Sequence, residues 1–146
     1  SLLNAEYFMR KALQQAELAF DEEEIPIGAV VVHENKIIGK GYNQTEKLVD
    51  FTAHAEMLAI TSAEQYLSSK YLNECTLYVT IEPCVMCAVA IQWARFGKVV
   101  FGAEEPKSGY RKKSNELISS KTEVVYGVLQ EECAELIKKF FLNKRK

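Results

Sequence analysis

Seven consecutive uncharged residues, Cys75-Thr76-Leu77-Tyr78-Val79-Thr80-Ile81, decide what the rest of the chain must do. A strand with one wet face alternates apolar and polar residues. One this continuously apolar is buried on both faces and needs a covering layer above and below. The next residues, Glu82-Pro83-Cys84-Val85-Met86-Cys87, open a helix. Pro83 suits its first turn, where an N–H would have no partner, and Gly97 is expected to end it with Arg95 in the last turn.

The flanking segments supply the layers. Asn4 is placed to cap a helix over about residues 5–20, with Phe8, Ala12, Ala16 and Phe20 as its inner stripe. "IPIGAVVV" and "KIIGKGYN" read as a hairpin around "HEN". A second helix begins near His54, runs to about Leu67, and is expected to bury Leu58, Ala59 and Ser62. "KVVFGA" and "TEVVYGVL" are strands, and "QEECAELIKKFFLNKRK" is a closing amphipathic helix. The order α-β-β-α-β-α-β-β-α predicts an α/β fold: a three-layer α/β/α sandwich around a central, mixed, five-stranded sheet. The length of 146 residues suits a single domain over the whole chain, with a basic C-terminal helix and tail.

Composition narrows the class. No apolar run reaches the roughly 18 residues of a membrane helix, so no membrane association is expected. The N-terminus opens into a polar helical pattern rather than a secretory signal, and a cytoplasmic location is expected. Four cysteines are too few and too irregularly spaced for a disulfide scaffold. The net charge of −2 conceals an acidic first part and a basic last third, with cations clustered at 107–113 and 138–146. A solvated face and a nucleic-acid contact both fit such runs.

His54 and Glu56 stand two residues apart at a helix start, and on a regular helix such a pair points in nearly opposite directions. In the first turn, however, both can converge on a point beyond the helix end. Cys84 and Cys87, at i and i+3, share a face of another helix's first turn, where the helix dipole favours thiolates. Two thiolates and one imidazole suit Zn²⁺ with its fourth position open to water. A Cys-x-x-Cys pair alone also fits a redox site. A closed structural site would need a fourth ligand: Cys75 is the length of a strand away, roughly 20 Å, His33 sits in the hairpin turn, and Cys133 is on the last helix.

His-x-Glu followed by Pro-Cys-x-x-Cys is the signature of zinc nucleobase deaminases. Beyond the signature, "IPIGAVVV", "GKGYN", "TAHAEMLAI", "TLYVTIEPCVMCAVAI", "KVVFGA" and "GVLQEECAELIKKFF" resemble successive blocks of the bacterial tRNA adenosine deaminases, within the cytidine/deoxycytidylate deaminase superfamily. The resemblance implies hydrolytic conversion of the wobble adenosine of a tRNA anticodon to inosine by a zinc-activated hydroxide. Zinc would sit on His54, Cys84 and Cys87, with Glu56 shuttling protons. It further implies substrate contacts from Ile27, Asn43 and the Ala55 backbone, from Glu105 and Lys107 in the loop beside the target nucleotide, and from Phe140 and Phe141 amid the terminal cations. It also implies a homodimer with the tRNA anticodon loop as partner. Two departures stand out: "GYRKKSNELISSK" replaces a Gly-Ser-rich stretch, and Phe51 stands where proline is common. The alternatives are a deaminase of a free base or nucleotide (guanine, cytosine or cytidine type) and a non-catalytic, zinc-stabilised RNA-binding module.

Overall fold

The computed structural model describes residues 2–144. Its elements run α1 (Leu2–Asp21), β1 (Gly28–His33), β2 (Lys36–Tyr42), α2 (Ala55–Leu67), β3 (Cys75–Ile81), α3 (Val85–Ala94), β4 (Lys98–Ala103), β5 (Glu123–Tyr126) and α4 (Gln130–Lys144), with two short 3-10 turns between β4 and β5. The predicted order and the three layers are both present. None of the described helices is long and apolar enough to cross a membrane.

The sheet order is β2-β1-β3-β4-β5. β1 is antiparallel to both β2 and β3, so β2 and β3 point the same way, and β4 and β5 follow β3 in parallel. The carboxyl ends of four strands therefore share one edge of the sheet. Helices α2 and α3 both begin there, the edge at which open α/β sheets bind ligands.

Each face of the sheet carries its own core. Ala29, Val31, Leu77, Val79, Val99 and Phe101 pack with α2 and α3. Val30, Val32, Tyr78 and Val100 pack with Phe8, Met9 and Ala12 of α1 and with Cys133 of α4. The alternation along β1 and β4 separates the two sets.

Several local expectations differ from what is found. Helix α1 starts at Leu2, so Asn4 lies inside it rather than capping it. The hairpin loop is the two-residue pair Glu34-Asn35, at φ 51° and 61°, the doubly left-handed geometry that matches strand twist. Ser62 is exposed and Leu58 half-buried, because α2 turns its Ala55, Ala59 and Ala63 stripe inward instead. Pro83 precedes the N-cap Cys84 of α3, and that helix ends at Arg95 (φ 61°), not Gly97. The Arg95 guanidinium lies 4.3 Å from the Tyr71 ring centroid. β5 spans four residues, fewer than "TEVVYGVL" suggested, because Gly127 (φ 90°) turns the chain out of the sheet.

The alanine stripe of α2 faces Gly39 and Gly41 of β2. A Cβ at Gly39 would come 2.5 Å from the Ala59 carbonyl oxygen, and one at Gly41 would collide with that of Ala55. Backbone thus rests on backbone. Gly41→Ala is expected to cost about 1–3 kcal/mol, the usual penalty of overpacking, measured by urea denaturation. Because the clash falls at the first residue of α2, it should also lower zinc retention.

Candidate active site

His54 and Cys84 occupy the same station on two helices. Each is an N-cap with extended backbone, φ −77°, ψ 154° for His54 and φ −75°, ψ 175° for Cys84, and neither side chain caps its own helix. Both side chains are left for another partner. Cys87, one turn into α3, is fully buried.

Together they form a three-donor cluster with all ligand atoms within 4.8 Å of one another. His54 Nδ1 lies 3.6 Å from Cys84 Sγ and 3.6 Å from Cys87 Sγ. Tetrahedral zinc, with Zn–S about 2.3 Å and Zn–N about 2.0–2.1 Å, separates N and S donors by about 3.6 Å. The donor set therefore fits zinc in both chemistry and spacing. Among the described residues no fourth His, Cys, Asp or Glu joins the cluster. Cys75 and His33 pair across β3 and β1 near the opposite end of the sheet, and Cys133 packs against Gly102 on its other face.

The electrostatics favour a cation. A hydrogen bond from the Cys87 thiol, opposed by burial and helped by His54, pulls the Cys84 thiol down to about 4. That same bond, with burial, pushes Cys87 up. The two sulfurs thus hold one proton between them, and a cation replaces it. Glu56, only 4% exposed, is raised to about 7, first by burial and then by the Cys84 thiolate.

These groups open onto a cavity of about 290 Å³. Of the residues singled out from the sequence, His54, Glu56, Cys84, Ile27, Asn43, Ala55, Glu105 and Phe141 line it. Asn43 donates from Nδ2 to the Ile25 carbonyl at 3.3 Å, leaving Oδ1 buried without a protein partner. Two residues are placed elsewhere. Phe140 is turned into the core, 7% exposed, with its ring 6.1 Å from Phe20; helical geometry lets only one of two adjacent rings face the cavity. Lys107 is exposed on its loop, where its N–H donates to the Glu105 carboxylate at 2.9 Å. Arg145 and Lys146 lie outside the described residues.

Comparison with known proteins adds relatives to this geometry. A family model described as the cytidine and deoxycytidylate deaminase zinc-binding region matches residues 3–103. A tRNA-specific adenosine deaminase of Aquifex aeolicus is 42% identical over 148 residues, 98% of this chain and 97% of that protein. A solved chain from work on A-to-I editing by tRNA:A34 deaminases at the wobble position of transfer RNA matches with TM-score 0.83 and 39% identity, covering 89% of this chain and 98% of that one. A guanine deaminase of Bacillus subtilis matches with TM-score 0.65 and 40% identity, over 68% of this chain and 64% of that one.

Sequence reasoning passed over Glu82, whose side chain is 1% exposed. It accepts backbone N–H groups of Glu105 and Arg111 at 3.2 and 3.1 Å, and Arg111 Nε and Nη2 at 3.2 Å each. The guanidinium also lies over Phe101 and Tyr126. The signal was present: a charge closing a buried strand needs a cation. This clasp docks the divergent segment against Pro83 and Cys84, with Tyr110 N–H bonded to the Pro83 carbonyl at 2.9 Å. Burial alone would raise the Glu82 carboxyl, but Arg111 and the two N–H groups outweigh it and the net shift is downward. Its stabilisation is therefore present above the unfolded-state value of about 4.3 and is lost as pH falls through the lower folded value. Arg111→Ala is expected to cost about 1.5–3 kcal/mol at pH 7. The gap to the parent should narrow below about pH 4, read from denaturation curves at several pH values.

Proposed function

We propose, since this chain belongs to the cytidine and deoxycytidylate deaminase zinc-binding family, that it hydrolyses adenosine to inosine at the wobble position of a tRNA anticodon. The observation that carries the chemistry is the pair of equal 3.6 Å separations from His54 Nδ1 to the two sulfurs, with Glu56 buried beside them. Near-full-length similarity at about 40% identity to tRNA-specific adenosine deaminases favours adenosine in tRNA over a free purine, since the guanine deaminases match either over only 68% of this chain or, across most of it, at 23% identity. The intact Glu56 argues against a purely structural module, which has no use for a proton carrier.

His54, Cys84 and Cys87 would hold the zinc, which when bound lowers the pKa of a water toward 7 and so supplies the nucleophile at neutral pH. Glu56 takes the proton released as oxygen bonds to C6 and delivers it to ring N1. It then takes the proton of the new C6 hydroxyl and passes it to the amine as the C6–N bond breaks, ammonia leaves and the C6 carbonyl forms. A carboxyl group raised toward neutrality suits both directions of transfer. Asn43 Oδ1, fixed by the bond from its own Nδ2 to Ile25, is an acceptor ready for the nucleoside. The Ala55 N–H at the start of α2 is a donor for the ring edge. Ile27 and Phe141 supply apolar walls, and Glu105 faces the same space.

The anticodon loop must present its base unstacked, and cations at the end of α4 would track its phosphates. Lys138 shares its charge with Glu135 at 3.6 Å, whereas Lys139 and Lys144 lie over aromatic rings and form no ion pair among the described residues. The same reading makes the protein a cytoplasmic homodimer. Support for the dimer comes from Trp93, 76% exposed beside a groove between α2 and α3.

Glu56→Ala is expected to keep zinc content and circular dichroism while lowering inosine formation by at least about 10²–10⁴-fold, measured by mass spectrometry of an anticodon stem-loop. Near-parental turnover would refute the assigned proton carrier, and guanine turnover without stem-loop turnover would favour the free-base reading. Changing Lys138, Lys139 and Lys144 together to Glu should flatten the slope of log affinity against log salt by about 2, at about 0.7 per phosphate contact. Fluorescence anisotropy at several salt concentrations checks this; an unchanged slope removes the helix end from the RNA contact.

A further inference from the structure

Phe51 is 94% exposed, more than any other large apolar side chain described, and it borders the cavity that holds His54 and Glu56. The loop that carries it, residues 44–53, is tied down from several sides. The buried Glu24 carboxylate accepts the backbone N–H groups of Glu46 and Lys47 at 3.1 and 2.8 Å. Asp50 Oδ1 accepts both the N–H and the hydroxyl of Thr52 at 2.8 and 2.7 Å. Gln44 N–H bonds the Ala53 carbonyl, and Asp50 N–H that of Thr45, each at 3.0 Å. Val49, 90% exposed, is held at φ 50°, a left-handed conformation that a β-branched residue adopts only under constraint. The backbone is fixed while the ring it displays is bare.

The cavity, about 290 Å³, lies at the lower end of the roughly 300–1,000 Å³ of small-ligand sites. It has room for one nucleoside. A polynucleotide that inserts its target there must leave the neighbouring nucleotides on the rim, unpaired and unstacked. Such bases gain most from an aromatic face, because every base has a π-surface to offer. A rigid, pre-exposed ring provides that face with little ordering cost.

We propose that Phe51 is a stacking platform for the unpaired nucleotide adjoining the target adenosine. This rests on the reading of the site as one that acts on adenosine in RNA. A second copy of the chain is the competing occupant of this surface, but the rim must stay open to admit a macromolecular substrate.

The test uses the zinc-loaded full chain and an anticodon stem-loop, with Phe51→Ala, Phe51→Leu and Phe51→Trp compared with the parent. Phe51→Ala and Phe51→Leu should raise KM about tenfold with kcat changed less than about twofold, within the range of base–aromatic stacking, and Phe51→Trp should restore KM. Thermal midpoints should agree across the set. A 2-aminopurine placed beside the target should be quenched by the parent and by Phe51→Trp but not by Phe51→Ala. Parental KM in Phe51→Ala, or full rescue by leucine, overturns the platform while leaving the adenosine reading intact. A change of mass for Phe51→Ala in sedimentation without RNA assigns the ring to a subunit interface and also overturns it. A parent protein inactive on the stem-loop overturns the adenosine reading and this inference together.

Discussion

The reaction centre depends on how near helix α2 can come to strand β2. Side chains normally hold a helix well off a sheet, but here Gly39 and Gly41 remove them from the strand while Ala55, Ala59 and Ala63 minimise them on the helix. The helix backbone settles onto the strand backbone, and its N-terminus is fixed against the carboxyl end of β2. Strand β1, antiparallel to both neighbours, makes β2 and β3 run the same way. The helices that follow those two strands therefore open at one edge, and an N-cap from each, His54 and Cys84, meets the other across it. Without that close approach the imidazole would stand away from the sulfurs, and no change at the ligands themselves could restore the spacing.

The lips of the cavity are held by buried acids. Glu24 receives two backbone N–H groups from the loop after β2, and Glu82 receives two more, with a guanidinium, from the loop after β4. In both cases a side chain anchored in the body of the protein satisfies loop donors that would otherwise be left to water. Loops of this kind are usually the mobile part of a site. Here their geometry is largely set before any ligand arrives, which lowers the ordering cost of binding.

Much of this was legible in the residues, for identifiable reasons. The continuous apolar run of β3 demanded layers on both faces, and the positions of His54, Cys84 and Cys87 at helix starts followed from short-range spacing. Those features depend on residues near one another in the chain. What was not legible depends on contacts across it. Arg95, a non-glycine residue at positive φ, carries no local signal as a helix terminator, and Ser62 could be read as exposed only once the glycines of β2 had chosen which face of α2 turns inward. The pairing of Glu82 with Arg111 links residues 29 apart across a segment with no regular periodicity. The sequence signalled that Glu82 needed a partner but not which of the nearby cations would supply it.

Three carboxylates, Glu24, Glu56 and Glu82, are each at most 4% exposed, so burial alone cannot assign their roles. Their partners separate them. Glu82 faces a guanidinium in bidentate contact and two N–H groups, which together overcome burial and shift its carboxyl below the usual glutamate value. Such a group fixes structure and is unable to exchange a proton near neutrality. Glu24 spends its oxygens on two loop N–H groups. Glu56 has no comparable cation from the protein: burial and the Cys84 thiolate raise it to about 7, where losing and regaining a proton both cost little. The missing positive charge is the one that the neighbouring imidazole and sulfurs are spaced to hold. In the proposed mechanism metal and proton carrier are two parts of one electrostatic arrangement, because the cation that would complete the donor set would also set how readily Glu56 gives its proton back.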